Sequence, residues 1–272
     1  MMMKKVNVAL QLTNIREDEL FEYQLSLGEI GVKDPIYYGM IPFSDEITGI
    51  ENCAKYSAIV PFGAVKLIRL WQRGLVPPNF KVFYDEQRFD QLQYATALDW
   101  LLLNGEASYH TLGSVKDIPV KEEIFIKPTR DLKAFAGIIV EAGRTPGEEI
   151  FSRPQDSSLT DDEIVLIAPF RRISREYRNF VVGGKLIDSS IYKIGSKITY
   201  EVPSNEERKM LQSFFEVVAS KYSPIDTYVV DFAMLENGEM TVIEYNCFNC
   251  AGMYSVDRRK VFKAVIDHVA KM

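Results

Sequence analysis

Residues 229–246, VVDFAMLENGEMTVIEYN, form the stretch that decides the fold of this 272-residue chain. Two runs rich in β-branched and apolar residues flank Asn237-Gly238, a strong short-range signal for a β-hairpin. If Asn237 and Gly238 are the two turn residues, Asp231 lies directly opposite Glu244, with Cβ atoms about 5 Å apart. Asn246 is two residues further along and shares that face. The stretch therefore predicts a hairpin with two carboxylates and an amide on one face.

The acidic pair of this hairpin predicts a metal site. Two carboxylates between otherwise apolar strands repel each other and lose hydration, and a cation resolves that conflict. Asp231, Glu244 and Asn246 supply hard oxygen ligands with no histidine nearby, a set that suits Mg²⁺. The alternative is that Asp231 pairs with an arginine such as Arg178 and binds no metal. The hairpin pattern by itself leaves both interpretations open.

A lysine-bearing strand precedes the hairpin in the chain. Residues 123–128 (EIFIKP) alternate as a strand does, and Pro128 ends it, which places Lys127 at the mouth of a sheet. Lys133 follows six residues later, in the loop 130–137 (RDLKAFAG). The two lysines are predicted to close over a triphosphate. Alternatively, each is a solvated surface residue, because lysine is seldom buried.

A second hairpin is predicted around Gly183-Gly184. With a two-residue turn there, one face carries four polar side chains, namely Glu176, Arg178, Ser189 and Lys193. A charged row on an otherwise apolar hairpin favours a polar ligand, and the arginine fork suits a phosphate or a carboxylate. The alternative is the exposed polar face of an ordinary antiparallel sheet.

The composition limits the class of protein. With 47% hydrophobic and 26% charged residues the chain is ordinary globular material, long enough for about two domains. The net charge of −6 disfavours a nucleic-acid or membrane-surface partner, since such proteins usually carry a basic excess. Three cysteines give no even disulfide framework, and no run approaches 18 apolar residues. We therefore expect a cytoplasmic protein without a nucleic-acid or membrane partner.

The domain organisation is predicted from residues 76–79 (VPPN), where consecutive prolines stop regular structure. Residues 1–79 are predicted to form a small α/β domain, and residues 80–272 a second, α+β domain. Directly after the boundary, a single helix is predicted from Asp85 to Leu103, because apolar residues recur there at helical spacing. A further helix is predicted to open with the capping box Ser204-x-x-Glu207.

The order of these features resembles the ATP-grasp superfamily. A lysine at a strand end, a second lysine, the apolar run 164–169 (IVLIAP) as a hinge, a Glu-x-Arg hairpin, and then Asp and Glu-x-Asn follow one another over roughly residues 120–255. The segments around Lys127-Pro128 and Glu176-Tyr177-Arg178 resemble, more narrowly, a clade of ATP-grasp proteins from bacteria and phages. The chain differs from better-known members in its phosphate loop, which lacks their run of glycines.

The resemblance implies an ATP-grasp fold in which two α+β lobes, at about residues 80–168 and 169–272, hold ATP between them. It implies that Lys127 and Lys133 bind the phosphates and that adenine lies against the hinge. The remaining implied groups are Ala168, Phe170, Glu176 and Arg178 for the nucleotide, Arg178 and Lys193 for catalysis, and Asp231, Glu244 and Asn246 for Mg²⁺, with two ions expected.

The implied reaction is the ATP-dependent joining of a carboxylate to an amine through an acyl phosphate. The partners would be small-molecule or peptide carboxylate and amine substrates. Two other functions stay open: a small-molecule kinase on the same fold, and a nucleotide-binding module without turnover. The sequence predicts neither the identity of the substrates nor the oligomeric state.

Overall fold

The structure, a computed structural model, describes residues 5–14, 17–130, 134–154 and 159–272. Helices and strands are mixed along the chain, and the strands form three sheets, of four, five and four strands. Within the described ranges, no helix is both long enough and apolar enough to cross a membrane.

The N-terminal part of the chain folds around the first sheet. Its strands are β1 (Val6–Gln11), β2 (Ile36–Met40), β3 (Ile47–Thr48) and β4 (Ala58–Phe62), and its helices are α1 (Glu17–Glu29) and α2 (Lys66–Gln72). The order is β3-β2-β1-β4, with β1 parallel to β2 and β4. Val8 and Ala9 of β1 belong to different buried clusters, α1 contributing to the first and α2 to the second. Because helices cover both faces, β1 is almost continuously apolar.

The link to the next sheet differs from the prediction. In place of one helix from Asp85 to Leu103, the chain forms α3 (Glu86–Phe89), α4 (Gln91–Leu98) and a short 3₁₀ turn. Asp90 has an extended backbone, and its side chain accepts a hydrogen bond from the amide of Leu92, so it starts a new helix. The single-helix prediction was wrong because apolar spacing does not register a capping residue inside the run.

The second sheet is antiparallel and lies in the middle of the chain. Its strands are β5 (Ser108–Thr111), β6 (Ile124–Pro128), β7 (Ile138–Val140) and β8 (Ile164–Pro169), in the order β5-β8-β6-β7. The helices α5 (Leu112–Val115) and α6 (Pro146–Phe151) pack on it, with Leu112 and Ile150 buried against Ile126. Pro128 is the last residue of β6, so Lys127 lies at a strand end as predicted.

The third sheet carries most of the polar side chains of interest. Its strands are β9 (Ile173–Val182), β10 (Lys185–Ile194), β11 (Lys197–Glu201), β12 (Tyr228–Leu235) and β13 (Met240–Asn246), and its helices are α7 (Asn205–Lys221) and α8 (Arg258–Lys271). The order is β11-β10-β9-β12-β13, all antiparallel. Tyr177 packs in a cluster with α7, and Phe180 in a cluster with α8, so the two helices cover opposite faces. The capping box of Ser204 and Glu207 is confirmed.

Candidate active site

The hairpin of β12 and β13 places Asp231 opposite Glu244, as predicted, but by another route. The amide of Leu235 bonds to the carbonyl of Glu239 at 2.8 Å, so the loop has three residues and not two. Gly238, the last of them, has φ +85°, a conformation that favours glycine. The longer loop shifts the pairing by one residue, and a bulge at Ile243 shifts it back. The predicted turn was wrong, and the predicted pair is confirmed.

The three predicted metal ligands lie together on one face of this hairpin. Asp231 and Asn246 are buried, at 2% and 3% exposure. The Asn246 Nδ2 donates to Asp231 Oδ2 at 3.2 Å and to Glu244 Oε1 at 3.4 Å. Within the described ranges, no three His, Cys, Asp or Glu side chains form a metal-binding group, so the cluster is an acidic pair completed by an amide.

Arg178 of β9 neutralises the buried acid. Its Nε and Nη2 donate to the two carboxylate oxygens of Asp231, at 3.0 and 2.8 Å, in a bidentate pair. Burial raises the pKa of Asp231, the Arg178 charge opposes that rise, and the neighbouring Glu244 and Glu176 add to it. The arginine pairing anticipated as the alternative to a metal therefore exists, and the carboxylates that surround it keep the face acidic.

Lysine side chains from two sheets pair with the other carboxylates of this face. Lys127 of β6 is buried, and its Nζ lies 2.7 Å from Glu244 Oε2, although 117 residues separate them. Lys193 of β10 lies 2.7 Å from Glu176 Oε1. The second and third sheets therefore meet at these side chains. The predicted partner of Lys127, Lys133, and the adjacent Asp131 lie outside the described residues.

The second hairpin differs from its predicted register. A bulge at Ile187 makes Ser190, and not Ser189, the cross-strand partner of Arg178. Ser189 turns to the other face, where its hydroxyl donates to Asn179 Oδ1 at 2.7 Å. The prediction of Ser189 on the polar face was wrong, because a two-residue turn fixes the register only as far as the first bulge.

A cavity of about 420 Å³ lies between the second and third sheets. Its lining includes Lys127, Phe170, Glu176, Lys193 and Glu244, five of the residues predicted from the sequence. Ala168 precedes this lining, and its side chain is buried within the second sheet, opposite Phe125.

Other lining residues were not found from the sequence. Tyr192 lines the cavity, and burial raises its pKa well above the usual value, with Asp231 and Glu176 adding to the rise. Asn104 also lines it; its Nδ2 is buried and has no hydrogen-bond partner among the described residues. The sequence offered Asn104 only as a helix stop before Gly105, so no local pattern indicated this position.

The segment after β13 fixes the face against the N-terminal sheet. Asn249 is buried; its Nδ2 donates to the carbonyls of Pro61 and Lys81 at 2.7 and 3.0 Å, and its Oδ1 accepts from the amide of Phe83 at 2.7 Å. Five residues later, the hydroxyl of Tyr254 accepts from Arg178 Nη1 at 3.2 Å. The chain around the acidic pair is thus held by both the first and the third sheet.

Comparison with known proteins adds a family and a fold. Residues 106–264, more than half of the chain, match the model of an ATP-grasp domain family, family 2 of its clade. A RimK domain protein ATP-grasp from Sphaerobacter thermophilus superposes with a TM-score of 0.58 at 12% identity, covering 96% of this chain and 99% of that one. The D-alanine-D-alanine ligase from Coxiella burnetii superposes with a TM-score of 0.55 at 13% identity, covering 98% and 96%. At such identities the likeness concerns the fold alone. No curated protein sequence matches the chain.

Proposed function

The chain belongs to the ATP-grasp domain family, and on that premise we propose that it is an ATP- and Mg²⁺-dependent ligase that joins a carboxylate to an amine. The α+β ATP-grasp fold and the resemblance stated from the sequence are confirmed. The observation that carries the proposal is the meeting of Lys127 from one sheet with Glu244, Asp231 and Asn246 from another, at the edge of one cavity.

The nucleotide is proposed to occupy the 420 Å³ cavity, a volume within the usual range of small-molecule sites. Lys127 and Lys133 would bind its phosphates, and the hinge around Ala168 and Phe170 would hold adenine. Since Lys127 is paired with Glu244, we expect it to exchange that carboxylate for a phosphate when the nucleotide binds. Glu176 is proposed to contact the nucleotide from the opposite wall.

The donor set fits Mg²⁺, which prefers oxygen ligands and keeps several positions for water and phosphate. Arg178 uses one acceptor position on each oxygen of Asp231, and a carboxylate has about four. Turning the Asn246 amide by half a turn presents its oxygen in place of its nitrogen. Bound there, up to two Mg²⁺ ions would neutralise the charge that develops on the phosphate oxygens.

The proposed chemistry has two steps. An oxygen of the substrate carboxylate attacks the γ-phosphorus of ATP, the bond to ADP breaks, and an acyl phosphate results. The amine then attacks the acyl carbon, phosphate leaves, and the nitrogen loses a proton. Arg178 and Lys193 are proposed to hold the transferred phosphoryl group and the carboxylate, as cationic groups do in phosphoryl transfer.

A division of labour along the chain is part of the proposal. Residues 1–79 would help to select the substrate, and the lobes at about 80–168 and 169–272 would hold the nucleotide. The hydrogen bonds of Asn249 support this, because they fix the first sheet next to the metal-ligand strand. The substrates would be small-molecule or peptide carboxylates and amines.

Hydroxylamine trapping tests the proposed function. The protein is incubated with ATP, Mg²⁺, pooled metabolite acids and hydroxylamine, and we expect ADP, phosphate and a hydroxamate, because hydroxylamine captures an acyl phosphate. Asp231→Asn should abolish all three products, whereas the exposed Asp226→Asn should not. A phosphorylated hydroxyl without hydroxamate would identify a kinase instead. ATP binding without turnover in any pool would leave a nucleotide-binding module.

A further inference from the structure

A second cavity, of about 490 Å³, lies between α1 and the first turn of α8. We call it the α1–α8 cavity; besides those helices, it is lined by Asp188 of β10 and by Arg208 of α7. Leu25, Val202 and Val256 supply apolar wall. Among the described residues, it shares no lining residue with the 420 Å³ cavity. Its volume is that of a small-molecule site.

The acids of this cavity are mostly neutralised within the protein. Asp188 is buried, forms an ion pair with Arg208 and accepts from the amide of Asp257 at 2.7 Å. The Asp257 side chain is bound by Arg259 at 3.1 Å, and Arg259 also reaches Glu29 at 3.3 Å. These pairs leave the acids little capacity to attract a cation.

Arg258 is different from its neighbours. It is half buried, and within the described ranges no carboxylate lies within ion-pair distance of its guanidinium, while its buried Nε has no hydrogen-bond partner. Its contacts are the carbonyl of Tyr254, at 3.1 Å from Nη2, and Tyr23, over whose ring the guanidinium lies at 5.3 Å. A partly buried guanidinium without an anion favours a ligand that supplies one, because burying an unpaired charge is unfavourable.

One residue joins Arg258 to the candidate active site. The carbonyl of Tyr254 accepts from Arg258, and its hydroxyl accepts from Arg178. Tyr254 has φ +46°, a conformation unusual for tyrosine, so the surrounding contacts hold it in place. The next residue, Ser255, lines the cavity and bonds to Ser190, the cross-strand partner of Arg178, at 2.7 Å.

We infer that the α1–α8 cavity binds an amino-acid-type substrate, with its carboxylate held by the fork of Arg258. The planar guanidinium matches a carboxylate, and Leu25 and Val202 are placed to contact a side chain. The inference rests on the proposed function in one respect: the bound molecule is the amine partner of the ligation, with its amino end directed along Tyr254 towards Arg178.

Binding measurements by calorimetry test the inference. The probes are L-alanine, D-alanine, L-glutamate and L-alanyl-L-alanine, each beside its C-terminal amide, with and without a non-hydrolysable ATP analogue and Mg²⁺. We expect at least one carboxylate form to bind, and its amide to bind about tenfold more weakly or not at all. Arg258→Met should weaken binding by a similar factor. Lys263→Met, an exposed change on the same helix, should not.

A second variant guards against a folding defect in Arg258→Met. Leu25 is 49% exposed, so Leu25→Trp is expected to fold while filling the cavity, and it should also reduce binding. No binding of any carboxylate probe, or equal binding by the wild type and both cavity variants, would overturn the inference. Because the measurement needs no turnover, a negative hydroxamate result would refute the ligase proposal and leave the cavity inference standing.

Discussion

Asp231 and Glu244 face each other because a three-residue turn and a bulge at Ile243 displace the pairing of β12 and β13 in opposite directions. Each displacement is one residue, and side chains alternate faces along a strand, so either one alone would place the acids out of register. The metal proposal therefore depends on Ile243 being left out of the cross-strand pairing.

Insertion of one alanine after Ile243 should abolish Mg²⁺ or Mn²⁺ binding. The insertion moves Glu244 one residue further from the turn, so an apolar residue then occupies the position opposite Asp231. Manganese binding, followed by electron paramagnetic resonance in the presence of an ATP analogue, measures the effect.

Deletion of Ile243 is the matched control for that insertion. It removes the unpaired residue and leaves Asp231 opposite Glu244, so we expect manganese binding to persist. Unchanged affinity in a folded insertion variant, or lost affinity in a folded deletion variant, would refute the link between register and metal binding.

Arg178→Met should destabilise the metal-free protein by about 3–5 kcal/mol, because it leaves Asp231 buried beside two other carboxylates. Adding Asp231→Asn should recover part of the loss, since the two changes remove one shared pair. Urea unfolding measures both free energies. Arg73→Met, which breaks the exposed pair with Asp45, should have little effect. Additive losses at positions 178 and 231 would contradict the coupling.

Lys127→Met should weaken ATP binding about tenfold or more, because a charge-assisted hydrogen bond to phosphate is lost. Lys121→Met, an exposed lysine before the same strand, is the matched control. Fluorescence titration with a nucleotide analogue measures the dissociation constants. If the two variants bind nucleotide equally well, Lys127 does not contact the phosphates.

Acid sensitivity should depend on Glu207, which lies outside the candidate site. Burial acts to raise its pKa, but hydrogen bonds from the Ser204 amide and the Tyr177 hydroxyl, together with Arg175, lower it below the usual 4.5. A depressed pKa means that the carboxylate stabilises the fold above the unfolded-state pKa, and that this contribution is lost as the pH falls through the folded-state pKa.

Glu207→Gln should therefore be less stable than the wild type at pH 6, with the difference shrinking below about pH 4.5. Urea unfolding between pH 6 and pH 3 measures it, and Glu216→Gln on the exposed side of the same helix is the control. A difference that stays constant over this range would show that the carboxylate charge does not contribute.

Local sequence patterns predicted much of the fold. Apolar alternation and glycine turns located both hairpins of the third sheet, and Ser204 with Glu207 marked the start of α7, because these signals act between residues close in the chain. The same patterns missed the break at Asp90 and both bulges, since a bulge or an internal cap changes the chain by one residue without altering composition.

By itself, the sequence determined the family resemblance and the polar residues of the candidate site, because their types and order are written in the chain. Only the tertiary structure decided which of them meet. Lys127 reaches Glu244 across 117 residues, and Tyr254 links Arg178 to Arg258. Such contacts depend on how three sheets pack against one another, and packing is set by long-range burial that no local pattern contains.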